Sequence, residues 1–407
     1  MTSAKEFLKS FQRFSLHNIN ASALLFTAAI LAMFLANSPW AYFYEDFLSR
    51  QVILQIGDYN LFSHHGSPMS VLASVNDALI ALFFLLVGMD IKQEILIGEL
   101  SSIRKAIFPI VAAFGGMIIP VMVFLAFCYS SPDSRGAAIP MATDIAFALS
   151  VLALLGNRVP LSLKIFLTAL AVTDDIGGII IIALFYSGHV AITPLLLSGL
   201  LLLGLYLGNR MRINSNTFYY LGGFFVWFFF LESGIHPTIA GVLVAFTIPA
   251  KSSMQLEGFV DRISSSIKSL PLNEGERSAK ATVLSDTQIH MLHKMEDASS
   301  KVISPLQNMS HRLHPYVNYL ILPLFAFVNA GVTFGSIEPS MLLGIPMGVF
   351  AGLFIGKTIG IFSFSYLFIK TGLVSYPKGM DAKNMFALSM LGGIGFTVSL
   401  FIANLSY

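Results

Sequence analysis

Long apolar runs recur along almost the whole chain, and short polar segments separate them. This pattern predicts eleven helices, most of them near the ~20 residues that a helix needs to cross a bilayer. The predicted spans are 21–37, 71–89, 107–129, 139–155, 160–186, 190–208, 217–231, 235–250, 316–334, 342–370 and 384–405. The chain is therefore predicted to be an all-α polytopic membrane protein with a single transmembrane domain over 1–407.

Composition supports this class and excludes others. The chain has 55% hydrophobic and 11% charged residues, whereas soluble domains carry about 25% charged residues. The net charge of +2 is too small to suggest nucleic-acid binding. The single cysteine, Cys128, excludes an internal disulfide and a paired-cysteine metal site. The sequence also lacks a phosphate-binding loop, which argues against ATP-driven transport.

Lysine and arginine positions predict the orientation of the chain. With a cytoplasmic N-terminus, 13 of these residues lie on the cytoplasmic side of the predicted spans and 2 on the other side, before the long loop at 251–315 is counted. The first group is Lys5, Lys9, Arg13, Lys92, Arg104, Lys105, Arg158, Lys164, Arg210, Arg212, Lys370, Lys378 and Lys383, and the second is Arg50 and Arg135. A bias of this size sets the topology of a membrane protein.

Two loops differ from the short connections elsewhere. Residues 251–315 form a polar, Ser-rich insertion of mixed charge, which we interpret as a partly disordered cytoplasmic linker. Residues 50–63 contain two β-prone runs around a Gly-Asp-Tyr-Asn turn, which predict an extracytoplasmic β-hairpin. A lone hairpin has unpaired edges, so this segment is a candidate homodimer contact.

Five ionisable residues fall within the predicted spans: Asp77, Asp144, Asp174, Asp175 and Lys357. Each costs at least ~2.5–3.5 kcal/mol on insertion scales, so each is a functional candidate. One acid paired with the lysine could simply hold two helices together. Four acids and one lysine exceed that need, because three acids remain without a basic partner. The set therefore indicates a pathway for ions or protons.

Asp174 and Asp175 are adjacent, and this adjacency restricts what they can do. Neighbouring helical residues point about 100° apart, so one acid can face a partner such as Lys357 while the other faces a water-filled cavity. Two carboxylates this close, partly removed from water, resist being ionised together. A small hard cation needs oxygen ligands and a deprotonated carboxylate. Protons and the cation then compete for one site, which is the requirement for exchange.

Two spans contain helix-breaking signals. The run 391-LGGIGFTVS-399 has three glycines, and the fourth span opens with Ala-Ile-Pro-Met-Ala-Thr-Asp. Both patterns are typical of interrupted helices, whose exposed ends carry partial charges that Asp144 and Lys357 could neutralise. Ordinary packing of small residues between membrane helices remains an alternative interpretation.

Several runs together resemble the NhaA-type sodium/proton antiporters. They are 83-FFLLVGMDIKQE-94, 143-TDIAFALSVLALLGNRVPLSLKIFLTALAVTDDIGGIIIIALFY-186, 313-LHPYVNYLILPLFAFVNAGV-332, 355-IGKTIGI-361 and 392-GGIGFTVSLFIA-403. The resemblance implies an inverted-repeat fold with two interrupted helices and twelve spans, the twelfth being absent from this chain. It implies electrogenic, pH-regulated exchange of intracellular Na⁺ or Li⁺ for external protons, serving sodium and pH homeostasis. It also implies a homodimer in the bacterial inner membrane.

The resemblance assigns roles to particular residues. Asp175 matches the acid that binds Na⁺ or Li⁺ and carries protons, and Asp174 matches the neighbouring acid that pairs with Lys357, so both acids are the expected cation ligands. Thr143 and Asp144 match a polar pair where two interrupted helices cross. The residues matched to a pH response are Asp90, Lys92, Glu94, His236, His311 and His314. The chain departs from the family pattern at two positions. Gln93 stands where the family often has an arginine, and Ser310 stands where the family can have an acid.

Two other functions are compatible with intramembrane acids. A sodium-coupled symporter of an organic anion needs further substrate-binding groups, and the spans contain few polar residues. An intramembrane aspartyl protease needs two carboxylates that face each other from different helices. Adjacent acids on one helix fit this poorly, although Asp144 could in principle be the partner. We therefore expect a transporter and not an enzyme. Its expected ligands are Na⁺, Li⁺ and H⁺ within the lipid bilayer, with no cofactor.

Overall fold

The computed structural model describes residues 21–57, 59–60, 62–64, 67–129, 132–155, 159–186, 190–268, 285–335, 344–372 and 380–407. Within these ranges most of the chain is helical, as the apolar runs predict. The helices are α1 (Ala21–Ala36), α2 (Ala41–Ser49), α3 (Val71–Ile97), α4 (Ile103–Cys128), α5 (Ile145–Leu154), α6 (Leu161–Phe185), α7 (Ile192–Arg210), α8 (Asn216–Ser233), α9 (Thr238–Thr247), α10 (Leu256–Lys268), α11 (Asp286–Val302), α12 (305–329), α13 (Ile345–Lys370), α14 (Ala382–Gly392) and α15 (Thr397–Ser406).

Three of these helices contain a wider π-helical turn. The turns are Val75–Leu79 in α3, Val317–Ile321 in α12 and Gly352–Lys357 in α13. Such turns shift the side chains that follow and often occur at functional sites. The third turn ends at the buried residue Lys357, and the first contains Asp77.

Six helical segments among the described residues are long and apolar enough to cross a membrane, or eight if each of two bent pairs is one span. Five of them are α3, α4, α6, α7 and α13, and the sixth, Ser134–Leu152, contains most of α5 and the residues before it. The predicted number was eleven, and that count stays a prediction. A count by length leaves out short helices, which is one reason why it is lower than eleven. Helix α9 is an example, because it has ten residues, of which seven are buried. A helix enclosed by neighbouring helices is not required to match the bilayer thickness by itself.

The segment 50–71 forms two short antiparallel pairs. Gln55–Ile56 (β1) pairs with Tyr59–Asn60 (β2), and Ser63–His64 (β3) pairs with Ser67–Pro68 (β4). The first run of the predicted hairpin pairs elsewhere, since Val52 N–H donates to the Met69 carbonyl. The role of this segment as a dimer contact stays a prediction.

The polar insertion at 251–315 is helical over much of its described part, and its interpretation as a partly disordered cytoplasmic linker stays a prediction. Its described residues form α10, α11 and the first turns of α12. Ser285 caps α11 with a reciprocal capping box, and Ser304 caps α12. Lys301 carbonyl accepts from Ser253 N–H, so the two ends of the insertion lie together. Local capping and amphipathic spacing thus favour helices despite the polar composition. Residues 269–284 lie outside the described part.

Glycines hold α4 and α13 in close contact. A Cβ atom added at Gly360 would lie 2.1 Å from the Gly115 carbonyl oxygen, and one added at Gly116 would lie 2.8 Å from the Ile361 side chain. Helix backbones can approach this closely only where side chains are absent. The packing positions Lys357, which lies one turn before Gly360 on the same helix.

We expect Gly360→Ala to destabilise the protein by about 1–3 kcal/mol, because the new methyl group forces the two backbones apart. Thermal unfolding in detergent measures this effect. Gly199→Ala on α7 is the matched control, since a Cβ there meets nothing within 4 Å and alanine favours the helix. Equal unfolding temperatures for the two variants would contradict the close contact.

Candidate functional site

A buried ion pair lies at the centre of the site. Lys357 Nζ is 2.9 Å from Asp174 Oδ2, and both side chains are at most 1% exposed. The lysine ammonium also donates to the carbonyl of Met141, the last residue of a 3₁₀ helix over Pro132–Met141. Thr143 Oγ1 lies 2.7 Å from the same Asp174 oxygen. Lysine and threonine therefore share one carboxylate oxygen.

The second oxygen of Asp174 has a different environment. Asp174 Oδ1 is buried and has no hydrogen-bond partner among the described residues. A buried polar atom without a partner is costly, so such atoms mark functional positions. Asp174 thus has one oxygen that is occupied by protein donors and one that is available for a ligand.

Asp144 caps the N-termini of two helices. Its Oδ1 accepts from Phe147 N–H in α5 at 3.0 Å, and its Oδ2 accepts from the backbone N–H and the hydroxyl of Thr397 at 3.2 and 2.9 Å. Residues 142–144 precede α5, and residues 393–396 separate α14 from α15 with a bend of 47°. One carboxylate therefore stabilises the partial positive charge of two helix ends.

Asp175 lies on a different side of α6 from the ion pair. It is half-buried and lines a cavity of about 110 Å³ together with Thr143, Asp144, Asp90 and His314. The 100° rotation between successive helical residues explains this divergence, because only one of the two acids can face Lys357. The cavity gives Asp175 a route to the end of the molecule that contains Asp90, which we call the Asp90 end.

A second cavity leads from the acids in the opposite direction and is much smaller. It measures about 10 Å³, room for a single water molecule. Its lining includes Asp174, Asp175 and Gly178, with Phe84 and Ile402 among the apolar residues. The site is therefore far more accessible from the Asp90 end than from the other end, which we call the Asn329 end after the last residue of α12.

The Asp90 end has a small polar cluster that joins α3 to α12. Asp90 Oδ1 accepts a hydrogen bond from Ser310 Oγ at 3.0 Å, and Asp90 Oδ2 is 3.5 Å from His314 Nε2. Ser310 stands where the family can have an acid, and here it donates to the carboxylate instead. The sequence prediction included Asp90 and His314 and did not anticipate the contact from Ser310.

No contact with this cluster is described for the remaining predicted pH-response residues. Glu94 Oε1 accepts from Glu99 N–H at 2.7 Å, in the turn that follows α3. His311 is exposed on the first turns of α12. His236 Nε2 is 3.8 Å from Asp77 Oδ1, and Asp77 lies 13 residues before Asp90 on α3. Their roles in pH response stay predictions.

Lys92 has a structural contact that the sequence did not suggest. Its ammonium donates to the carbonyl oxygens of Phe246 at 2.6 Å and of Ile248, where α9 ends. A cation at a helix C-terminus satisfies unpaired carbonyls and stabilises the helix dipole. Lys92 therefore joins α3 to the end of α9.

We expect Lys92→Met to lower the stability by about 0.3–2 kcal/mol, because the last carbonyls of α9 lose their cation. Thermal unfolding in detergent checks this, with Lys105→Met as the control because Lys105 is exposed. The same unfolding temperature in both variants would show that the contact of Lys92 with the end of α9 contributes nothing to stability.

Thr397 is a site residue that sequence reasoning did not single out. Its only signal was its position in the run 391-LGGIGFTVS-399, which was interpreted through its glycines. The hydroxyl of Thr397 contacts an acid 253 positions away in the sequence. No local pattern connects two residues so distant.

The fold and the site together define a class: a polytopic helical membrane protein with a buried lysine–aspartate pair and a neighbouring acid open to a cavity. Known proteins identify the family. A sequence model of the family described as "Na+/H+ antiporter 1" matches residues 12–407. The chain therefore belongs to this family, which confirms the resemblance inferred from the sequence.

Named relatives are similar over nearly the whole chain. The "Na(+)/H(+) antiporter NhaA" of Parabacteroides distasonis is 60% identical over 400 residues, covering 98% of this chain and 88% of the relative. The protein of the same name from Porphyromonas gingivalis is 51% identical over 401 residues, with coverages of 98% and 89%. The "Na(+)/H(+) antiporter NhaA 2" of Syntrophotalea carbinolica is 41% identical over 404 residues, with coverages of 98% and 90%.

Proposed function

We propose that the protein is a secondary transporter that exchanges Na⁺ or Li⁺ for protons. One observation carries the proposal: Asp175 opens to a cavity while the adjacent Asp174 is held by a buried lysine. The names of the relatives support the same activity. A small hard cation needs oxygen ligands, and Asp174 and Asp175, which both line the 10 Å³ cavity, can provide them.

In this mechanism the cation and the proton compete for the two acids. A deprotonated Asp175 binds the cation with help from the unpartnered oxygen of Asp174. Protonation of Asp175 removes the negative charge and releases the cation. Lys357 compensates the charge of Asp174, and Asp144 keeps the two helix ends in place through both states. Loss of either the cation or the proton changes the net charge of a buried site, and this change is unfavourable in low-dielectric surroundings. Release of one ion is therefore favoured when the other ion takes its place.

We further propose the arrangement of the protein in the membrane. The Asp90 end faces the cytoplasm, in agreement with the distribution of lysines and arginines. The breaks before α5 and between α14 and α15 form the two interrupted helices of an inverted-repeat fold. The location is the bacterial inner membrane, and a homodimer contact forms through 50–63. Asp90, Glu94, His236, His311 and His314 contribute to pH regulation.

Exchange in inside-out vesicles tests the activity. An acidic interior is established, and NaCl, LiCl or choline chloride is then added outside while an acid-sensitive dye is followed. Na⁺ and Li⁺ are expected to collapse the gradient, and choline is not. If exchange moves more than one proton per cation, valinomycin with K⁺ accelerates it by relieving the membrane potential. A gradient that survives Na⁺ but collapses with a sodium ionophore would refute the proposal.

A further inference from the structure

Three asparagines from three helices meet at the Asn329 end. Asn76 of α3 and Asn329 of α12 form a reciprocal amide pair, with N–H···O distances of 3.1 and 2.8 Å. Asn404 of α15 donates to the same Asn329 oxygen at 2.5 Å. Asn76 also lies in the π-helical turn of α3, which displaces side chains from their regular helical positions.

Asn329 uses its full hydrogen-bonding capacity in this cluster. Its amide nitrogen donates to Asn76 Oδ1 and to the Phe325 carbonyl, both at 2.8 Å. Its oxygen accepts from Asn76 and from Asn404. An asparagine side chain has two donors and two acceptor sites, so none remains. Asn329 therefore links α3, α12 and α15 in this conformation.

Polar contacts join α3 and α12 at both of their ends. At the Asp90 end Asp90 contacts Ser310 and His314, and at the Asn329 end Asn76 pairs with Asn329. The two contacts are about 20 Å apart, since 14 helical residues separate Asp90 from Asn76. Two helices tied at both ends move as one unit.

Helix α15 contributes to the site, and it packs against α3 and α12 more closely at the Asn329 end than at the Asp90 end. Its N-terminus is held by Asp144, together with α5. At the Asp90 end, the 110 Å³ cavity separates α5 and the start of α15 from α3 and α12. Towards the Asn329 end the gap closes, because the Phe401 ring of α15 lies 5.4 Å from the Phe84 ring of α3. Asn404 adds a directional hydrogen bond beyond this apolar layer.

We propose that the Asn404–Asn329 hydrogen bond is a releasable contact that keeps the Asn329 end closed while Asp175 is open to the Asp90 end. The inference rests on the proposed transport function, because alternating access requires α15 to separate from α12 at this end. A hydrogen bond from the exposed Asn404 to the half-buried Asn329 suits this task. It adds a modest net stabilisation, and water replaces it when the contact opens.

Accessibility of a single cysteine tests the contact directly. Cys128→Ala removes the native thiol, and Gly178→Cys places a new one in the narrow cavity, where an added Cβ meets nothing within 4 Å. A membrane-impermeant thiol reagent is applied from the extracytoplasmic side. Adding Asn404→Ala is expected to raise the labelling rate about fivefold, the effect of losing one typical hydrogen bond on a two-state equilibrium.

Asn37→Ala is the matched control. Asn37 is also an asparagine near the end of α12, and its side chain donates to the Val332 carbonyl at 2.7 Å and accepts from Phe334 N–H at 2.6 Å. It does not contact α15 in these hydrogen bonds. Labelling should therefore stay at the background rate in this variant. An unchanged rate with Asn404→Ala, or an equal rise with Asn37→Ala, would overturn the proposal.

A reversible cross-link provides a second measurement. Asn329→Cys and Asn404→Cys are introduced together in the Cys128→Ala background, and the two thiols are joined with a short thiol-specific cross-linker that contains a reducible disulfide. Exchange is expected to stop after cross-linking and to return on reduction. Full exchange by cross-linked protein would refute the role of this contact. If the parent protein shows no cation-dependent exchange, the transport proposal fails, while the labelling comparison still reports on the contact.

Discussion

Replacing Asp175 by asparagine is expected to reduce Na⁺-dependent and Li⁺-dependent exchange to the rate of vesicles without the protein. Asparagine retains the size of the side chain and one oxygen, but it cannot exchange a proton for a cation. The substitution removes a charge from a cavity-lining position, so the fold should persist. Exchange in inside-out vesicles, at equal protein amounts, is the measurement.

Asp261→Asn is a suitable control for this variant, because Asp261 is an exposed acid on α10. It should exchange at the rate of the unsubstituted protein. If Asp175→Asn also retained full exchange, the cation would have to bind elsewhere, and Asp144 would be the next acid to test. Cation binding by calorimetry in detergent separates loss of binding from loss of a later step in transport.

Replacing Lys357 by methionine is expected to produce the largest loss of stability, about 3–5 kcal/mol. The substitution leaves Asp174 as an unpaired carboxylate in a buried position, and removing one partner of a buried pair carries a cost of this size. It also removes the donor to the Met141 carbonyl. Thermal unfolding in detergent measures the effect.

The double variant Lys357→Met with Asp174→Asn tests the cause. If the unpaired charge dominates, neutralising Asp174 should restore most of the lost stability, so the two substitutions should be strongly non-additive. Lys251→Met, at an exposed position, should be close to neutral. A double variant that is as unstable as the sum of the single ones would show that packing around Lys357, and not its charge, matters.

The sequence predicted the chemistry of the site better than its connections. Acids and a lysine inside apolar runs are visible without a structure, because their cost in a membrane makes them exceptional. Helical geometry also required Asp174 and Asp175 to diverge. Asp90 and His314 were assigned through resemblance, but the contact between Asp90 and Ser310 depends on how α3 and α12 pack. In the polar insertion, the helices of the described residues depend on local caps such as Ser285 and Ser304, which composition alone does not reveal.

The sequence by itself determined that this is a helical membrane protein with a few charged residues inside its apolar spans. Hydropathy and the cost of burying charge act locally, so they can be inferred from residue order alone. The resemblance already implied that Asp174 pairs with Lys357. Only the tertiary structure decided that Asp144 caps α15 as well as α5, and that Asn76, Asn329 and Asn404 meet. These contacts join residues as far apart as 253 positions, and helix packing, not local sequence, brings them together.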